Sequence, residues 1–518
     1  MFEGHPKGLW ALALANTGER FGYYTMLAVF FLFLQHNFGF TVGVAGTIQS
    51  VFLGVVYFVP LFGGMLADKF GFGKMVTIGI LVMFMGYLLL ALPLGAGTVA
   101  LGVMALALLF VCVGTGLFKG NLQVLVGNLY DDPKYAAKRD EGFSIFYMAI
   151  NIGSMFAAAA ALGIMAWTQQ SYGVSKADSY HFAFAVACVS LIVSIIIYYA
   201  FRGTFAHADR AKVAVKGATE AVEEELTPAQ TKERIVCLCL VFAVVIFFWM
   251  AFHQNGITMN QFAREYTATS ETGFMSLFLS KSFSFTDMRS IWNLVCVILL
   301  VYGVLNVFQS KTVKGKLIAA LLLLASGGVL AYRAMNVTGS VDVEAPIFQQ
   351  FNPCFVVALT PIVMLVFGLL AKKGKEPSSP MKIGLGMLVA ASAFIILLVG
   401  SMGLPAPTEQ AAAAAAGTAS LVSPNWLIST YLVLTVAELL LSPIGISFVS
   451  KVAPPKYKGM MMGGWFVATA IGNFLISIPG LLWDKTELYV VWGVLIAICL
   501  VSAIFIFAIL KRLEAVAK

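Results

Sequence analysis

The chain has 518 residues, of which 60% are hydrophobic and only 11% charged, and its formal net charge is +8 at pH 7. A water-soluble protein of this length has too little interior to bury so much apolar surface, so the composition excludes a soluble protein. The positive charge does not indicate nucleic-acid binding, because basic residues collect in the cytoplasmic loops of membrane proteins. We therefore predict an all-α protein embedded in a lipid bilayer.

Apolar stretches of about 20 residues recur along the whole chain, and each is long enough to cross a bilayer as a helix. We predict fourteen membrane-spanning helices, at residues 8–34, 42–67, 75–95, 98–127, 142–166, 180–201, 235–257, 289–308, 317–333, 347–371, 382–402, 426–450, 459–480 and 487–511. Loops rich in Lys and Arg alternate with loops that are poor in them. By the positive-inside rule, both termini are expected on the cytoplasmic side of the cell membrane.

The 203–234 segment separates six predicted helices from eight. We interpret residues 1–202 as an N-terminal six-helix bundle, 203–234 as a cytoplasmic linker and 235–518 as a C-terminal six-helix bundle with two inserted helices at about 289–333. The alanine-rich stretch at 409–420 is expected to be an exterior loop. The seven cysteines lie in or beside apolar runs, which favours small buried side chains over disulfides or a metal site.

Three charged side chains are predicted near the middle of the membrane: Glu19, Lys119 and Glu438. Each lies twelve or thirteen residues from a charged residue at its cytoplasmic flank, which is about 18–20 Å at the rise of a helix. Ionisable groups at this depth are costly in hydrocarbon and usually face a cavity or a partner. We expect one shared polar cavity, and structural ion pairs are the alternative.

The first predicted helix has a polar centre, "ANTGERFGYYTML" at residues 15–27. At 100° per residue, its polar residues share one broad face with Leu27, and Gly18 and Gly22 lie on the other side, as expected for close helix packing. That polar face comprises Asn16, Glu19, Arg20, Tyr23 and Tyr24. Later spans contribute Tyr57, Asn151, Asn352 and Trp465. For a single Asn or Tyr, an interhelical hydrogen bond is an equally good explanation, and packing explains Trp465 alone better.

Several of these stretches resemble the proton-dependent oligopeptide transporters, a branch of the major facilitator superfamily. "GERFGYY" resembles the family's first-helix signature E-x-x-E-R-F-x-Y-Y, and "FYMAINIGS" resembles its helix-five signature F-Y-x-x-I-N-x-G-S. "GGMLADKFGFGK", "GTGLFKGN" and "AELLLSPIG" are similar to its loop after helix two and to segments of helices four and ten.

The resemblance implies twelve core helices in the major facilitator fold and alternating-access import of di- and tripeptides with protons. Bacterial members of the family often carry an extra helix pair between helices six and seven, whereas in this sequence the inserted pair is predicted between core helices seven and eight. The resemblance also implies a substrate site at Arg20, Tyr23, Tyr24, Tyr57, Lys119, Asn151, Asn352 and Glu438, to which we add Trp465. The chemistry agrees, because a peptide is a zwitterion whose carboxylate needs a cation and whose ammonium needs an acid.

The sequence departs from the family pattern at three positions. Asn16 stands in place of an acid, Leu27 in place of a frequent base, and His253 in place of the acid of helix seven. The candidate proton-coupling residues are therefore Glu19, His253 and Glu438. A histidine has a reference pKa near 6.5 and can act as a proton switch, but a neutral hydrogen-bonded histidine explains His253 equally well.

Two alternatives stay open: a relative that moves another small solute, such as an amino-acid derivative or an anion, and a peptide transporter with weak or absent proton coupling. An enzyme is not expected, because the histidines are scattered and no H-E-x-x-H, G-x-S-x-G or Walker A pattern occurs. We thus expect a monomer without metal, cofactor, nucleotide or nucleic acid, whose partners are peptides, protons and lipid.

Overall fold

A computed structural model describes residues 3–209, 226–279, 289–310, 312–337, 339–343 and 345–517. Fifteen long helices dominate it: α1 Lys7–Phe38, α2 Val42–Phe58, α3 Pro60–Phe70, α4 Phe72–Leu90, α5 Thr98–Leu129, α6 Arg139–Tyr172, α7 Lys176–Ala200, α8 Pro228–Phe252, α9 Arg289–Gln309, α10 Val313–Met335, α11 Phe351–Lys372, α12 Ser379–Gly400, α13 Asn425–Val452, α14 Lys458–Leu475 and α15 Leu488–Ala508.

The remaining elements are short. Six further α-helices are Pro133–Ala136, Thr258–Tyr266, Ser276–Leu279, Pro407–Ala415, Ser477–Gly480 and Leu510–Ala517. Tighter 3₁₀ turns lie at Arg202–Thr204, Ala206–Ala208, His253–Gly256, Gly273–Met275, Ala345–Gln350, Pro455–Tyr457 and Trp483–Lys485. Strand β1, Ser270–Thr272, pairs antiparallel with β2, Ser340–Asp342.

Thirteen helical stretches among the described residues are long and apolar enough to cross a membrane. They coincide with the predicted spans from the second to the fourteenth, which confirms the all-α membrane architecture. The first predicted span is α1, whose 32 residues suffice to cross a bilayer. The polar residues in its centre set α1 apart from the other thirteen.

The second predicted span, 42–67, is two helices instead of one. α2 ends at Phe58 and α3 begins at Pro60. Proline has no backbone N–H and its ring crowds the preceding turn, so it interrupts a helix but is well placed at a first helical position.

Glycines let α1 pack closely against α6 and α7. A Cβ atom on Gly22 would lie 2.3 Å from Ser190 Oγ of α7, and one on Gly153 of α6 would lie 2.6 Å from the Thr17 carbonyl oxygen. Ser194 Oγ of α7 also donates a hydrogen bond to the Ala15 carbonyl, at 2.6 Å. The close packing predicted for this face of α1 is confirmed, with the least room at Gly22 and a Cβ–oxygen distance of 3.3 Å to the Ser190 carbonyl at Gly18.

The alanine-rich segment is a helix, Pro407–Ala415, so the prediction of a loop at 409–420 is wrong in its first half. Alanine has the highest intrinsic helix propensity, which outweighs the low complexity of the stretch. Gln410 fixes this helix, since its Nε2 donates to the carbonyl oxygens of Glu265 and Ser420, at 2.7 and 2.8 Å.

Helices α9 and α10 lie where the inserted pair is predicted and pack against each other. A Cβ on Gly303 of α9 would approach the Ala319 carbonyl oxygen of α10 to 3.1 Å. Leu317, Leu321 and Leu324 of α10 are exposed, as expected for a surface that faces lipid. That this pair is additional to a twelve-helix core stays a prediction.

The described chain forms two compact units. The first unit comprises residues 2–246, 443–473 and 508–518, and the second comprises 247–442 and 474–507. The borders fall inside α8, α13, α14 and α15, so these helices contribute to both units. The division into bundles 1–202 and 235–518 with a 203–234 linker stays a prediction, and residues 210–225 of that linker lie outside the described residues.

Candidate functional site

The centre of α1 contains a buried ion pair. Arg20 donates from Nε to Glu19 Oε2 and from Nη2 to Glu19 Oε1, both at 2.5 Å, and the two side chains are 2% and 0% exposed. Consecutive residues on a helix do not normally face each other, so these long side chains converge only by bending toward a common side. Burying either charge alone would be costly, and the bidentate pair offsets that cost.

Aromatic and amide groups surround this pair on α1. The Arg20 guanidinium lies 4.8 Å from the centre of the Tyr23 ring, and Tyr24 packs edge-on against Tyr23. The Tyr23 hydroxyl and the Asn16 amide nitrogen are buried and have no hydrogen-bond partner among the described residues. Buried polar groups are normally satisfied, so these two are available to a bound molecule.

Lys119 of α5 lies between two aromatic rings. Its Nζ is 4.1 Å from the centre of the Tyr57 ring and 4.5 Å from that of Phe466. Within the part of the chain that the structure describes, Lys119 has no ion pair or hydrogen bond. Cation–π contacts hold an ammonium group without neutralising it. Among the described residues, no carboxylate therefore pairs with the Lys119 ammonium, whereas Glu19 pairs with Arg20.

These groups form one electrostatic cluster in the first unit, because Glu19 and Arg20 lie within Coulombic range of Lys119. We call Glu19, Arg20, Tyr57, Lys119 and Phe466 the cationic cluster; its formal charge is +1, from two cations and one carboxylate. Phe466 is absent from the sequence-based site. The sequence-based site includes the adjacent Trp465 instead.

Asn151 and Trp465 are placed differently from that cluster. The Asn151 amide donates to the Tyr147 carbonyl of its own helix α6, at 3.1 Å. Trp465 is 1% exposed, and a Cβ on Gly445 would lie 2.2 Å from its indole ring. Trp465 also contacts Phe242, with ring centres 6.5 Å apart. These contacts support packing as the role of Trp465, and a substrate contact by either residue stays a prediction.

A second group of predicted site residues lies in the second unit, around α11 and α13. Asn352 Nδ2 donates to Glu438 Oε2 at 2.7 Å and to Thr435 Oγ1 at 3.1 Å. Thr435 in turn donates to the Tyr431 carbonyl at 2.7 Å. We call Asn352, Thr435 and Glu438 the carboxylate cluster. Glu438 is 3% exposed, so the Asn352 amide, held by Thr435, orients a buried acid.

His253 begins the 3₁₀ turn that follows α8. Its ring stacks on Trp249, with centres 4.9 Å apart and planes inclined by 23°, and it meets Phe252 edge-on. The aromatic environment orients the imidazole, and a role in proton coupling stays a prediction.

Acids at the Lys/Arg-rich ends of the first-unit helices form a further network, which sequence analysis did not assign. Asp68 of α3 accepts hydrogen bonds from the backbone N–H groups of Gly459 and Met460, at 2.8 and 2.9 Å. These N–H groups belong to the first turn of α14. N–H groups in a first turn have no acceptor within their own helix, and the positive end of the helix dipole there favours a negative charge. Asp131 similarly pairs with Arg139 and Lys458, at 2.5 and 2.8 Å.

Comparisons with known proteins agree with this architecture. Residues 73–218 and 328–487 match the sequence profile PTR2, the POT family. The chain is 30% identical over 493 residues to the peptide transporter YePEPT of Yersinia enterocolitica, covering 92% of this chain and 88% of that protein. It is 26% identical over 491 residues to the dipeptide and tripeptide permease A of Salmonella typhi, covering 93% and 86%.

The fold is also shared with solved structures. A crystal structure of a POT family transporter in complex with 5-aminolevulinic acid superposes with a TM-score of 0.60 at 18% identity, covering 99% of this chain and 98% of that one. At this identity the likeness establishes the fold and no more. The profile match, the relatives and the fold agree that this protein is a member of the POT family with a major facilitator fold.

Proposed function

We propose that the protein is a secondary transporter that imports di- and tripeptides by alternating access, coupled to proton influx. The observation that carries the proposal is the presence of two buried clusters of opposite charge, one in each unit. The names of the relatives in Yersinia and Salmonella support peptides as the substrate class.

The cationic cluster is suited to the carboxylate of a peptide. Lys119 is the stronger candidate, because its two ring contacts leave its charge unbalanced. An ammonium can exchange a cation–π contact for a charge-assisted hydrogen bond with a net gain in energy. Tyr57 and Phe466 would then hold Lys119 in place when no peptide is bound.

The carboxylate cluster is suited to the ammonium of a peptide. Asn352, which is itself held by Thr435, donates to one oxygen of Glu438, so the acid meets the substrate with little further loss of conformational freedom. A peptide carries a carboxylate that suits the cationic cluster and an ammonium that suits the carboxylate cluster, whereas a simple anion suits only the first.

Glu19 is the best-supported site of proton coupling in the first unit. While ionised, it occupies Arg20 through two hydrogen bonds. A proton on Glu19 would weaken that pair and release the guanidinium for the peptide carboxylate. Deprotonation would restore the pair and favour release of the peptide. Binding of proton and peptide would thereby be thermodynamically linked.

Uptake of a labelled dipeptide into proteoliposomes tests this proposal. We expect accumulation that rises when the outside is made more acidic than the inside. Glu19→Gln should keep downhill exchange of peptide and lose the response to the pH gradient, because glutamine cannot take up or release a proton. If the wild-type protein transports no dipeptide with or without the pH gradient, peptides are not its substrates. If its uptake does not change with the pH gradient, transport is not coupled to protons.

We also propose that the protein acts as a monomer in the cytoplasmic membrane, with both termini and the Lys/Arg-rich loops in the cytoplasm. The positive-inside rule supports this orientation. Labelling of single introduced cysteines in the basic loops of intact cells checks it, since only exterior residues react with an impermeant thiol reagent.

A further inference from the structure

A basic cavity lies at the Lys/Arg-rich end of α4 and α7, away from both clusters. Its volume is about 480 Å³, and its lining includes Phe70, Lys74, Thr77, Tyr199, Arg202 and Asp209. Asp209 is tied to the start of α4, since its Oδ1 accepts the Gly73 N–H at 2.7 Å. A hydrogen bond of 2.9 Å between Thr77 Oγ1 and the Tyr199 hydroxyl joins α4 to α7 across the floor. Two helices and the turn after α7 thus build the cavity.

The charge of the lining is positive. Lys74 and Arg202 are exposed and make no ion pair among the described residues, and the Arg202 guanidinium lies 5.6 Å from the centre of the Tyr199 ring. The single carboxylate, Asp209, is engaged by a backbone N–H at the positive end of the α4 dipole. The cavity lining therefore carries two positive charges and one carboxylate, and that carboxylate already accepts a backbone hydrogen bond.

The ends of α4 and α7 indicate at which level of the membrane the cavity lies. α4 begins and α7 ends at the cavity, and both are membrane-spanning candidates. Three exposed aromatic side chains border this level: Phe70, Tyr199 and Phe201. Aromatic residues concentrate at the level of the lipid headgroups. The cavity therefore opens where headgroups lie and acyl chains can run along the apolar surfaces below.

We propose that this cavity binds the phosphate group of an anionic phospholipid, with Lys74 and Arg202 as its cationic ligands. Arginine suits this role because its planar fork of donors matches phosphate oxygens, and lysine supplies a point charge. Basic pockets between membrane helices bind anionic headgroups by the same chemistry. The site contains none of the proposed peptide-binding residues, so it stands independently of the proposed function.

Lipid retention by the purified full-length protein tests the site. Native mass spectrometry would count phosphatidylglycerol and phosphatidylcholine molecules retained by the wild type, by Lys74→Gln and by Arg202→Gln. We expect a preference for phosphatidylglycerol that falls about fivefold for each neutralised cation. Lys74→Arg should keep the preference, because it keeps the charge.

Lys134→Gln is the matched control. Lys134 is also an exposed cation of a basic loop and lies 5.1 Å from the centre of a tyrosine ring, that of Tyr135, but it does not line the cavity. Equal lipid preferences in Lys134→Gln and the cavity variants would overturn the proposal. Competition by inorganic phosphate at millimolar concentration would assign the cavity to a soluble anion and overturn the lipid. Unchanged Tm values in phosphatidylcholine would confirm that the variants are folded.

Discussion

The cationic cluster and the carboxylate cluster solve the same problem, a charge buried in a membrane protein, in different ways. The cationic cluster balances charge with charge, since Glu19 neutralises Arg20, and leaves Lys119 between two rings. The carboxylate cluster holds Glu438 with a neutral amide and a hydroxyl behind it. Both devices keep an ionised group in an apolar setting, where an isolated charge is strongly disfavoured.

The two clusters are expected to respond differently to protonation. An ion pair such as Glu19–Arg20 can be opened by one proton, because a protonated carboxyl group no longer carries the negative charge that attracts Arg20. A carboxylate held by neutral donors keeps its place whether or not a cation is present. We therefore expect protonation to open the ion pair of the cationic cluster, and a role of Glu438 in proton coupling stays a prediction.

The largest effect is expected from Glu438→Gln. Glutamine keeps the shape and the hydrogen bond from Asn352 but removes the charge that pairs with the peptide ammonium. The loss of a buried charge partner costs roughly 2–5 kcal/mol, or about 30-fold and more in affinity. Dipeptide uptake in proteoliposomes measures it, with Glu487→Gln as the exposed control. Wild-type uptake by Glu438→Gln would remove the acid from the site.

Lys119→Ala should have the next largest effect. Its replacement removes the unbalanced cation and leaves Tyr57 and Phe466 without a charge to hold. A hydrogen bond to a charged group contributes about 1.5–3 kcal/mol, which corresponds to roughly 10- to 100-fold in the KM for peptide. Lys134→Ala controls for loss of a lysine elsewhere. Arg20→Lys retains a cation and should lower uptake less than Lys119→Ala. The opposite result would show that Arg20, and not Lys119, is the main partner of the peptide carboxylate.

Thr435→Val tests the neutral hold on Glu438. The substitution preserves the shape of the side chain and removes the hydrogen-bond acceptor for Asn352. A neutral hydrogen bond contributes about 1 kcal/mol, so the KM for peptide should rise about fivefold while kcat is retained. Thr430→Val is the matched control on α13: Thr430 is equally buried and donates to the Trp426 carbonyl at 2.8 Å in the same way. Equal effects of the two variants would show that only helix packing had changed.

His253→Ala gives the smallest expected change at neutral pH and sharpens the assignment of coupling. If His253 contributes to coupling, uptake between about pH 5.5 and 7.5 should depend less on pH in the variant, since its reference pKa is near 6.5. His207→Ala, in an exposed turn, is the control. If the pH profile of the variant coincides with that of the wild type, His253 has no role in proton coupling, and Glu19 and Glu438 are the remaining candidates.

Helix positions were predictable from sequence with few errors, because each membrane crossing requires its own apolar stretch. Two details were not. Pro60 divided one predicted span into α2 and α3, and the alanine-rich stretch formed a helix fixed by Gln410. In both cases local backbone chemistry decided the outcome, and hydropathy does not report it.

The candidate site was partly predictable. The buried charges on α1, α5 and α13 stood out because such residues are rare in membrane helices. Phe466 and Thr435 did not stand out, since a phenylalanine or threonine is unremarkable in an apolar helix. Their importance comes only from the side chain that each one meets.

The sequence alone determined the membrane class, the positions of the apolar helices, the family and the sign of each buried charge, because these depend on composition, length and local motifs. Only the tertiary structure decided the partners: Glu19 with Arg20, Lys119 with Tyr57 and Phe466, and Glu438 with Asn352. The physical reason is that the energy of a buried charge depends on atoms within a few ångströms, and most of those atoms belong to distant parts of the chain.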